Sequence, residues 1–366
     1  MRFKVLQQDL YPALQSVARS CSVKAQLPVL GNILLSVADS KLTLSATNLE
    51  IGVVKSITVE NLEDGDITIP HRTILDIISN LPLEEIELSA QGDLLTITTK
   101  SFSSQINGIS AAEFPNIPLA GKEAVTLDPK LLTSGVPQVS FATAVDEGRP
   151  ILTGVYTQIQ NKKLQLVSTD GFRLAAKTVN IDDDQNFKAL IPRKTYEEVL
   201  RLLGEEEVDQ VNISTSDDQN QMIFSFGNTQ LSSRLIEGQF PTWEKIIPSQ
   251  IVARMVVEKT ELLKAVKLAS VFARNESNVL RIENSDGKLI LSSEAKELGS
   301  QKNEIEAQTE GEALVIAFNA KYILEALNAL PSSQAILEAS GPLSATIIKP
   351  MGDEGLQYII MPINLG

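Results

Sequence analysis

The sequence predicts an α+β protein made of three copies of one domain, each with two helices and antiparallel sheet, on three observations. An alternating strand, Lys41-Leu42-Thr43-Leu44-Ser45, returns as Lys163-Leu164-Gln165-Leu166-Val167 and as Lys288-Leu289-Ile290-Leu291-Ser292, at a spacing of about 120 residues. A second apolar-rich strand precedes each one closely enough to form a hairpin, over residues 33–37, 155–159 and 280–283. Downstream, Ile69-Pro70-His71-Arg72, Ile191-Pro192-Arg193-Lys194 and Ile316-Ala317-Phe318-Asn319 each open a helical run of similar length. Its apolar residues keep amphipathic spacing: Leu75, Ile78 and Leu81; Val199, Leu202 and Leu203; Ile323, Leu324, Leu327 and Leu330. Solenoid repeats of ~20–50 residues cannot bury a core alone, whereas a unit of this length can, so whole domains are duplicated.

Taken in order, the first copy opens with a strand at 3–6 and a helix at 10–19. The second opens with a strand at 124–127 and an irregular apolar stretch through Phe141, the third with a strand at 253–257 and a helix at 262–272. The hairpin and the second helix follow in each copy, and a further strand pair comes after that helix. Six helix-like segments result, at 9–24, 70–82, 128–143, 192–204, 259–275 and 319–331. Glu113-Phe114-Pro115 and Gln239-Phe240-Pro241 close the first two copies, and their prolines mark joints. The expected domains are 1–121, 122–248 and 249–366, divided near Gly121 and Pro248.

Composition agrees with a folded chain of two or three domains. At 366 residues it exceeds one ordinary core, and 43% hydrophobic with 21% charged residues excludes a disordered or fibrous chain. The segment from Met1 to Asp9 has no apolar core of signal-peptide length, and no run approaches the ~18 apolar residues of a membrane span. The expectation is a cytoplasmic protein without a membrane partner. Cys21 is the only cysteine, cannot form an internal disulfide, and reads as an inert thiol.

Catalytic chemistry finds little footing. His71 is the only histidine, no Gly-x-Ser-x-Gly turn accompanies it, and it reads as a surface residue at a helix start. Cys21 and His71 together cannot build a four-coordinate metal site, and no phosphate-cradling glycine loop is present. No catalytic residue, metal or cofactor is therefore expected. The acidic runs at 182–184 and 205–207 read as solvated loops, although a hydrolase using two spaced carboxylates is compatible with the residues. A protein-only scaffold is compatible as well.

A net charge of −14 argues against gripping nucleic acid by bulk attraction, which depends on clustered Lys and Arg. The six helix-like segments nevertheless hold 12 Lys and Arg against 7 acids. If they face one way, an acidic molecule gains one basic side that tolerates phosphates. Helices that carry Lys and Arg on solvent faces would show the same excess. So small a surplus implies weak contact, suited to sliding and unsuited to reading a sequence.

The chain resembles the bacterial sliding clamps, the beta subunits of DNA polymerase III, across all three copies. The pieces that carry the resemblance are Leu27-Pro28-Val29-Leu30-Gly31-Asn32, Thr169-Asp170-Gly171-Phe172-Arg173-Leu174-Ala175, Ile191-Pro192-Arg193-Lys194 and Ile360-Met361-Pro362. The resemblance implies clamp domains with helices on an inner face and sheets outside, joined as a head-to-tail homodimer that rings double-stranded DNA without regard to sequence. Helical residues expected to face that DNA are Arg19, Lys24, Arg72, Arg193, Lys194, Arg201, Lys264 and Lys267, and the resemblance places Val271 and Phe272 at the subunit seam.

It also implies a peptide pocket between the second and third domains for DNA polymerases, the clamp loader and repair proteins, which carry short motifs containing Gln, Leu and Phe. Matching positions are Arg149, Leu152, Thr169, Gly171, Phe172, Arg173, Leu174, Pro241, Lys245 and Ile246, with Asn319, Tyr322, Ser344, Ile359, Ile360, Met361, Pro362 and Ile363. Apolar side chains with a few polar anchors suit an extended peptide, and Met adapts to several partners. The repeat points to the same place independently. Where the first copy has Thr47-Asn48-Leu49-Glu50, the second has Thr169-Asp170-Gly171-Phe172 followed by Arg173, a difference that added function or simple divergence would produce. Two positions depart from the family pattern: Phe172 stands where His is usual, and the chain ends Ile363-Asn364-Leu365-Gly366 where a basic residue commonly precedes a terminal Leu.

Overall fold

The computed structural model describes residues 1–22, 27–119, 122–146, 148–182, 186–216, 220–274 and 277–364. Lys24, the division at Gly121, Asp183 and Asp184 of the acidic run, and the terminal Leu365-Gly366 lie outside the described residues.

The first copy reads β1 (Arg2–Leu6), α1 (Gln7–Ala18), β2 (Asn32–Ala38), β3 (Lys41–Thr47), β4 (Ile51–Thr58), β5 (Glu60–Glu63), β6 (Gly65–Pro70), α2 (His71–Asn80), β7 (Glu85–Gln91), β8 (Leu94–Thr98) and β9 (Ser103–Asn107). The second reads β10 (Lys122–Leu127), α3 (Pro129–Val139), β11 (Gly154–Gln160), β12 (Lys163–Thr169), β13 (Arg173–Asn180), β14 (Phe187–Pro192), α4 (Arg193–Leu203), β15 (Val211–Thr215), β16 (Gln221–Phe226) and β17 (Thr229–Arg234). The third reads β18 (Ala253–Glu258), α5 (Lys259–Ala273), β19 (Val279–Ser285), β20 (Lys288–Ala295), β21 (Gly299–Glu306), β22 (Gln308–Gly311), β23 (Val315–Asn319), α6 (Ala320–Ala329), β24 (Gln334–Ala339), β25 (Thr346–Pro350) and β26 (Leu356–Ile360).

Burial explains why the alternating segments are strands. In β3, Leu42 and Leu44 are fully buried while Lys41 is exposed, the two-residue period of a half-buried strand. In α2 the buried stripe is Ile74 and Ile78, one helical turn apart, and Leu75 is only half-buried. The apolar stretch expected to be irregular in the second copy is a helix, α3, with Leu132, Val136 and Val139 buried. Pro137 sits near its C-terminal end, where it disturbs little of the helix beyond it.

Two further expectations are corrected. A third strand follows the expected pair after each second helix, as β9, β17 and β26, because the expectation counted apolar runs and the first two of these strands are largely Ser, Thr and Gln. The third copy aligns two residues later than its shared isoleucine indicated. His71, Arg193 and Ala320 open α2, α4 and α6, so Phe318-Asn319-Ala320 corresponds to Ile191-Pro192-Arg193. Matching bonds mark the same shift, Ile236 N–H to Leu190 O at 2.9 Å and Ile363 N–H to Ala317 O at 2.7 Å.

The elements gather into two compact units, one of residues 1–129 with 194–235 and one of residues 130–193 with 236–366. Each unit is offset by half a repeat because sheets run across the joints. The first unit holds a sheet in the order β5-β1-β7-β8-β9 and a larger one, β10-β15-β16-β17-β4-β3-β2-β6. The second holds β14-β11-β12-β13-β26-β25-β24-β18-β22 and β21-β20-β19-β23.

The crossing ladders, β4 with β17 and β13 with β26, share one register. Ile51 faces Ser233 and Lys55 faces Thr229 in the first, and Arg173 faces Ile360 and Lys177 faces Leu356 in the second. Their ends match too. Arg234 N–H donates to Glu50 O at 2.9 Å and Ser56 N–H to Asn228 O at 3.0 Å, while Met361 N–H donates to Phe172 O at 3.0 Å and Thr178 N–H to Gly355 O at 2.7 Å.

Candidate functional site

The hairpin turn that precedes each crossing ladder is the same structure in the first two copies. Thr47 Oγ1 accepts from Leu49 N–H at 3.0 Å and Asn48 Oδ1 from Ile51 N–H at 2.8 Å; Thr169 Oγ1 accepts from Gly171 N–H at 3.0 Å and Asp170 Oδ1 from Arg173 N–H at 3.0 Å. Such side-chain to backbone bonds are why Thr followed by Asn or Asp forms this turn. Both turns need a left-handed residue, Leu49 at φ 73° and Gly171 at φ 92°. At Gly171 the missing side chain has a further use, because a Cβ there would lie 3.0 Å from Arg149 Nη1.

With the turn held constant, the copies differ in what it carries. The second presents Phe172, 57% exposed, bonded to Met361, 41% exposed. The first presents Glu50 bonded to Arg234, both exposed and charged. At the paired strand ends, the second joint has an apolar mouth where the first is charged, although Leu49 is also exposed at the first turn. Beneath this mouth Leu174 and Ile359 pack with Val167, Ala176, Trp243, Ala345 and Ile347, and Tyr156, Phe240 and Ile247 lean on this cluster. Tyr156 and Phe240 stack with ring centroids 5.1 Å apart.

The expected pocket residues all belong to the same compact unit as this mouth. Leu152, buried, lies in a 3-10 turn at 150–152, and Arg149 just before it donates from Nη2 to Asp170 O at 3.0 Å. Pro241 precedes, and Lys245 and Ile246 end, the 3-10 turn at 243–246 that is anchored by buried Trp243. Ser344 is exposed in the β24–β25 loop, and Pro362 and Ile363 continue from β26.

The sheet divides the set. Side chains alternate along β13, and directly paired residues share a face, so Leu174 and Ile359 lie on one face while Arg173 and Ile360 lie on the other. Arg173 is 8% exposed and its charge is fully engaged. Its Nε donates to Asp170 Oδ2 at 3.1 Å, Nη2 to Phe141 O at 2.8 Å and Nη1 to Glu325, while the guanidinium lies 4.5 Å from the Tyr322 ring centroid and 5.3 Å from that of Phe141. Burial, with Asp170 nearby, raises the Tyr322 phenol above its usual range. Asn319 caps α6, its Oδ1 accepting from Lys321 N–H at 3.0 Å, and so sets where Tyr322 and Glu325 project. Arg173 is thus a buried brace on the face of β13 opposite Leu174 and Ile359, and Arg149 and Lys245 are exposed cations.

Asp170, Phe141, Trp243 and Glu325 were absent from the expected set. The turn chemistry could have revealed Asp170. The other three become neighbours only through tertiary packing.

Of the residues expected to face DNA, Arg19, Arg72, Lys194, Lys264 and Lys267 are exposed on or beside helices and Arg193 is half-buried. Lys264 pairs with Glu261 at 2.9 Å. Arg201 differs from the expectation. Its side chain is 16% exposed, Nη2 bonds Glu198 Oε1 at 2.6 Å and Ser16 O at 2.7 Å, and Nη1 bonds Glu205, so it ties α4 to α1 and has little charge to offer a phosphate. Lys24 lies outside the described residues.

Val271 is 56% exposed on α5 and Phe272 is half-buried. Leu268, one turn earlier and 58% exposed, extends the same apolar stripe. Burial pushes the Cys21 thiol up to about 12, and His71 Nδ1 lies 2.7 Å from Gly31 O at the start of α2. No helix among the described residues is long and apolar enough to cross a membrane.

Comparison with known proteins bears on the whole chain. Models of the DNA polymerase III beta subunit match in three parts, the N-terminal domain at residues 1–118, the central domain at 126–242 and the C-terminal domain at 244–364. A beta sliding clamp from Synechococcus elongatus is 32% identical over the full length of both chains. One from Staphylococcus aureus is 30% identical over 99% of each. Among solved structures, the DNA polymerase sliding clamp of Bacillus subtilis superposes with a TM-score of 0.95 at 27% identity, and the DNA polymerase III beta subunit of Thermotoga maritima with 0.91 at 29%, each covering 100% of both chains.

Proposed function

The chain belongs to the DNA polymerase III beta subunit family, the sliding clamps, and from that premise we propose that two copies close head to tail into a ring around duplex DNA. The observation that carries the closure is the shared register of the two crossing ladders. The strands that open them (β4, β13 and β21) and those that answer (β17, β26 and β9) are equivalent by position in each copy. Two of the three pairs form within the chain, while β21 and β9 are sheet edges. An unpaired edge is a template for another strand. If β9 of a second copy meets β21 in the common register, Gly299 faces Ile106, Gln301 faces Ser104 and Asn303 faces Phe102. Gln301 Nε2 is buried without a hydrogen-bond partner among the described residues, as a group awaiting that strand would be.

Three domains per chain, taken as 1–121, 122–248 and 249–366, then give six in the ring, a heterologous contact that closes after two copies. Val271 and Phe272 on α5 flank the seam, and the helices carrying Arg19, Arg72, Arg193, Lys194, Lys264 and Lys267 line the hole. DNA is held by topology, with weak contact to phosphates and without covalent chemistry.

DNA polymerases, the clamp loader and repair proteins dock short Gln-, Leu- and Phe-containing motifs on Ile246, Met361 and Pro362, with buried Leu152, Leu174 and Ile359 beneath them. Phe172 and Arg149 stand at the rim of this groove. The apolar mouth of this joint, against the charged Glu50 and Arg234 of the other, supports one such groove per chain.

Gln301→Cys with Ser104→Cys in one chain tests the closure. These residues fall at a non-hydrogen-bonded rung of the proposed ladder, where paired Cβ atoms come nearest. A covalent dimer under oxidation is expected, whereas a chain that stays monomeric in solution and uncrosslinked would overturn the head-to-tail reading.

A further inference from the structure

Each joint inside the chain is latched by the same device. Lys55 in β4 reaches Glu206 Oε1 at 2.5 Å, Lys177 in β13 reaches Asp353 Oδ2 at 2.5 Å, and both lysine side chains keep only 13% exposure. They stand on equivalent rungs, Lys55 facing Thr229 and Lys177 facing Leu356. Each carboxylate is fixed at the turn before the answering strand. Glu206 accepts from Asn228 N–H at 3.3 Å and from the Thr229 hydroxyl, and Asp353 accepts from Gly355 N–H at 2.9 Å. Both pairs are charge-assisted hydrogen bonds, which are shorter and stronger than neutral ones.

The third joint differs. Glu294 faces Ser300 as Thr169 faces Leu174, so Asn303 occupies the rung of Lys177 and Lys55. The turn that would answer it, between β8 and β9, carries exposed Lys100 where the β25–β26 turn carries Asp353. An acid is nevertheless present. Glu84 lies in the α2–β7 loop, the counterpart of the α4–β15 loop that supplies Glu206, and its Oε1 is buried without a hydrogen-bond partner among the described residues.

We infer that the surface on which a second copy docks is an unlatched version of the two internal joints, with Glu84 as the acid half of a pair whose lysine is replaced by Asn303. The inference rests on the head-to-tail reading. Its consequence is that the seam lacks the lysine–carboxylate pair that each internal joint carries.

The test measures subunit exchange between donor- and acceptor-labelled full-length copies by energy transfer. Asn303→Lys is expected to slow exchange about ten-fold, the effect of one added charge-assisted hydrogen bond. Glu84→Gln in the same chain should return exchange to the wild-type rate, and Asn303→Gln should leave it unchanged. Lys100→Ser combined with Asn303→Lys removes any repulsion from the turn, so the gain must appear at least there. Exchange as fast as wild type in both lysine variants, with a dimer still formed, overturns the latch. Absence of energy transfer even in the wild type would instead overturn the head-to-tail reading on which it rests.

Discussion

Replacing Arg173 by Ala is expected to destabilise the second unit by about 3 kcal/mol. The guanidinium is 8% exposed and bridges Asp170, Glu325, the Phe141 carbonyl and the Tyr322 ring. Asp170, its side chain 14% exposed, would lose its buried counter-ion while still tied to the turn, at about 1–3 kcal/mol. Glu325 keeps 33% exposure and can turn to water, so its loss is small. Stacking on two rings adds about 0.5–1 kcal/mol. Trp243 is the only tryptophan and lies in the core of this unit beside Leu174, so its fluorescence during urea unfolding reports the change. Arg173→Lys should recover only part of the loss, because an ammonium cannot reach both carboxylates and the carbonyl as the planar fork does. If Arg173→Ala unfolds within about 1 kcal/mol of wild type, the brace contributes little and its network is incidental.

Three further outcomes follow from the same geometry. Phe172→Ala with Met361→Ala should weaken a labelled polymerase-tail peptide by at least about 1–2 kcal/mol in anisotropy titrations, and unchanged binding would remove these residues from the groove. Leu49→Gly should stabilise the first unit by up to about 1 kcal/mol by calorimetry, because Leu49 holds φ 73° and is 49% exposed; a loss of stability would mean its side chain is needed there. Burial raises the Cys21 thiol from 9.0 to about 12, so the folded state holds this proton where the unfolded chain releases it. The contribution is complete below pH 9 and declines as pH rises toward 12, and Cys21→Ala should flatten that alkaline decline in a pH series of melting curves.

Repetition made most of the fold legible. The Lys-Leu-x-Leu strands mark their hairpins because burial imposes a two-residue period, and Pro70 and Pro192 mark helix starts because a fixed φ ends a strand well. Asn319 does the same work by side-chain capping, so the third copy shares the structure without the letter, and its shared isoleucine misled the alignment by two residues. β9 and β17 were hidden for a different reason. Ser103-Ser104-Gln105 and Ser232-Ser233 offer no apolar run, and backbone pairing, of β9 with β8 and of β17 with β16 and β4, is what defines these strands. At the candidate site, the contrast between Leu49-Glu50 and Gly171-Phe172 was readable by comparing copies. The partners of Arg173 were not, because Phe141 and Glu325 lie 32 and 152 residues away. Arg201 shows the converse: its basic charge was visible in the sequence, and the carboxylates that occupy it were visible only in the fold.

Retention on DNA separates topology from attraction. The protein is loaded on nicked circular DNA by a cognate clamp loader with ATP, washed in high salt, and the circle is then cut once with a nuclease. A closed ring should survive the wash, since phosphate contacts fade with salt and linkage does not, and should leave when the circle is cut. Loss during the wash, with loading verified beforehand, would contradict encirclement.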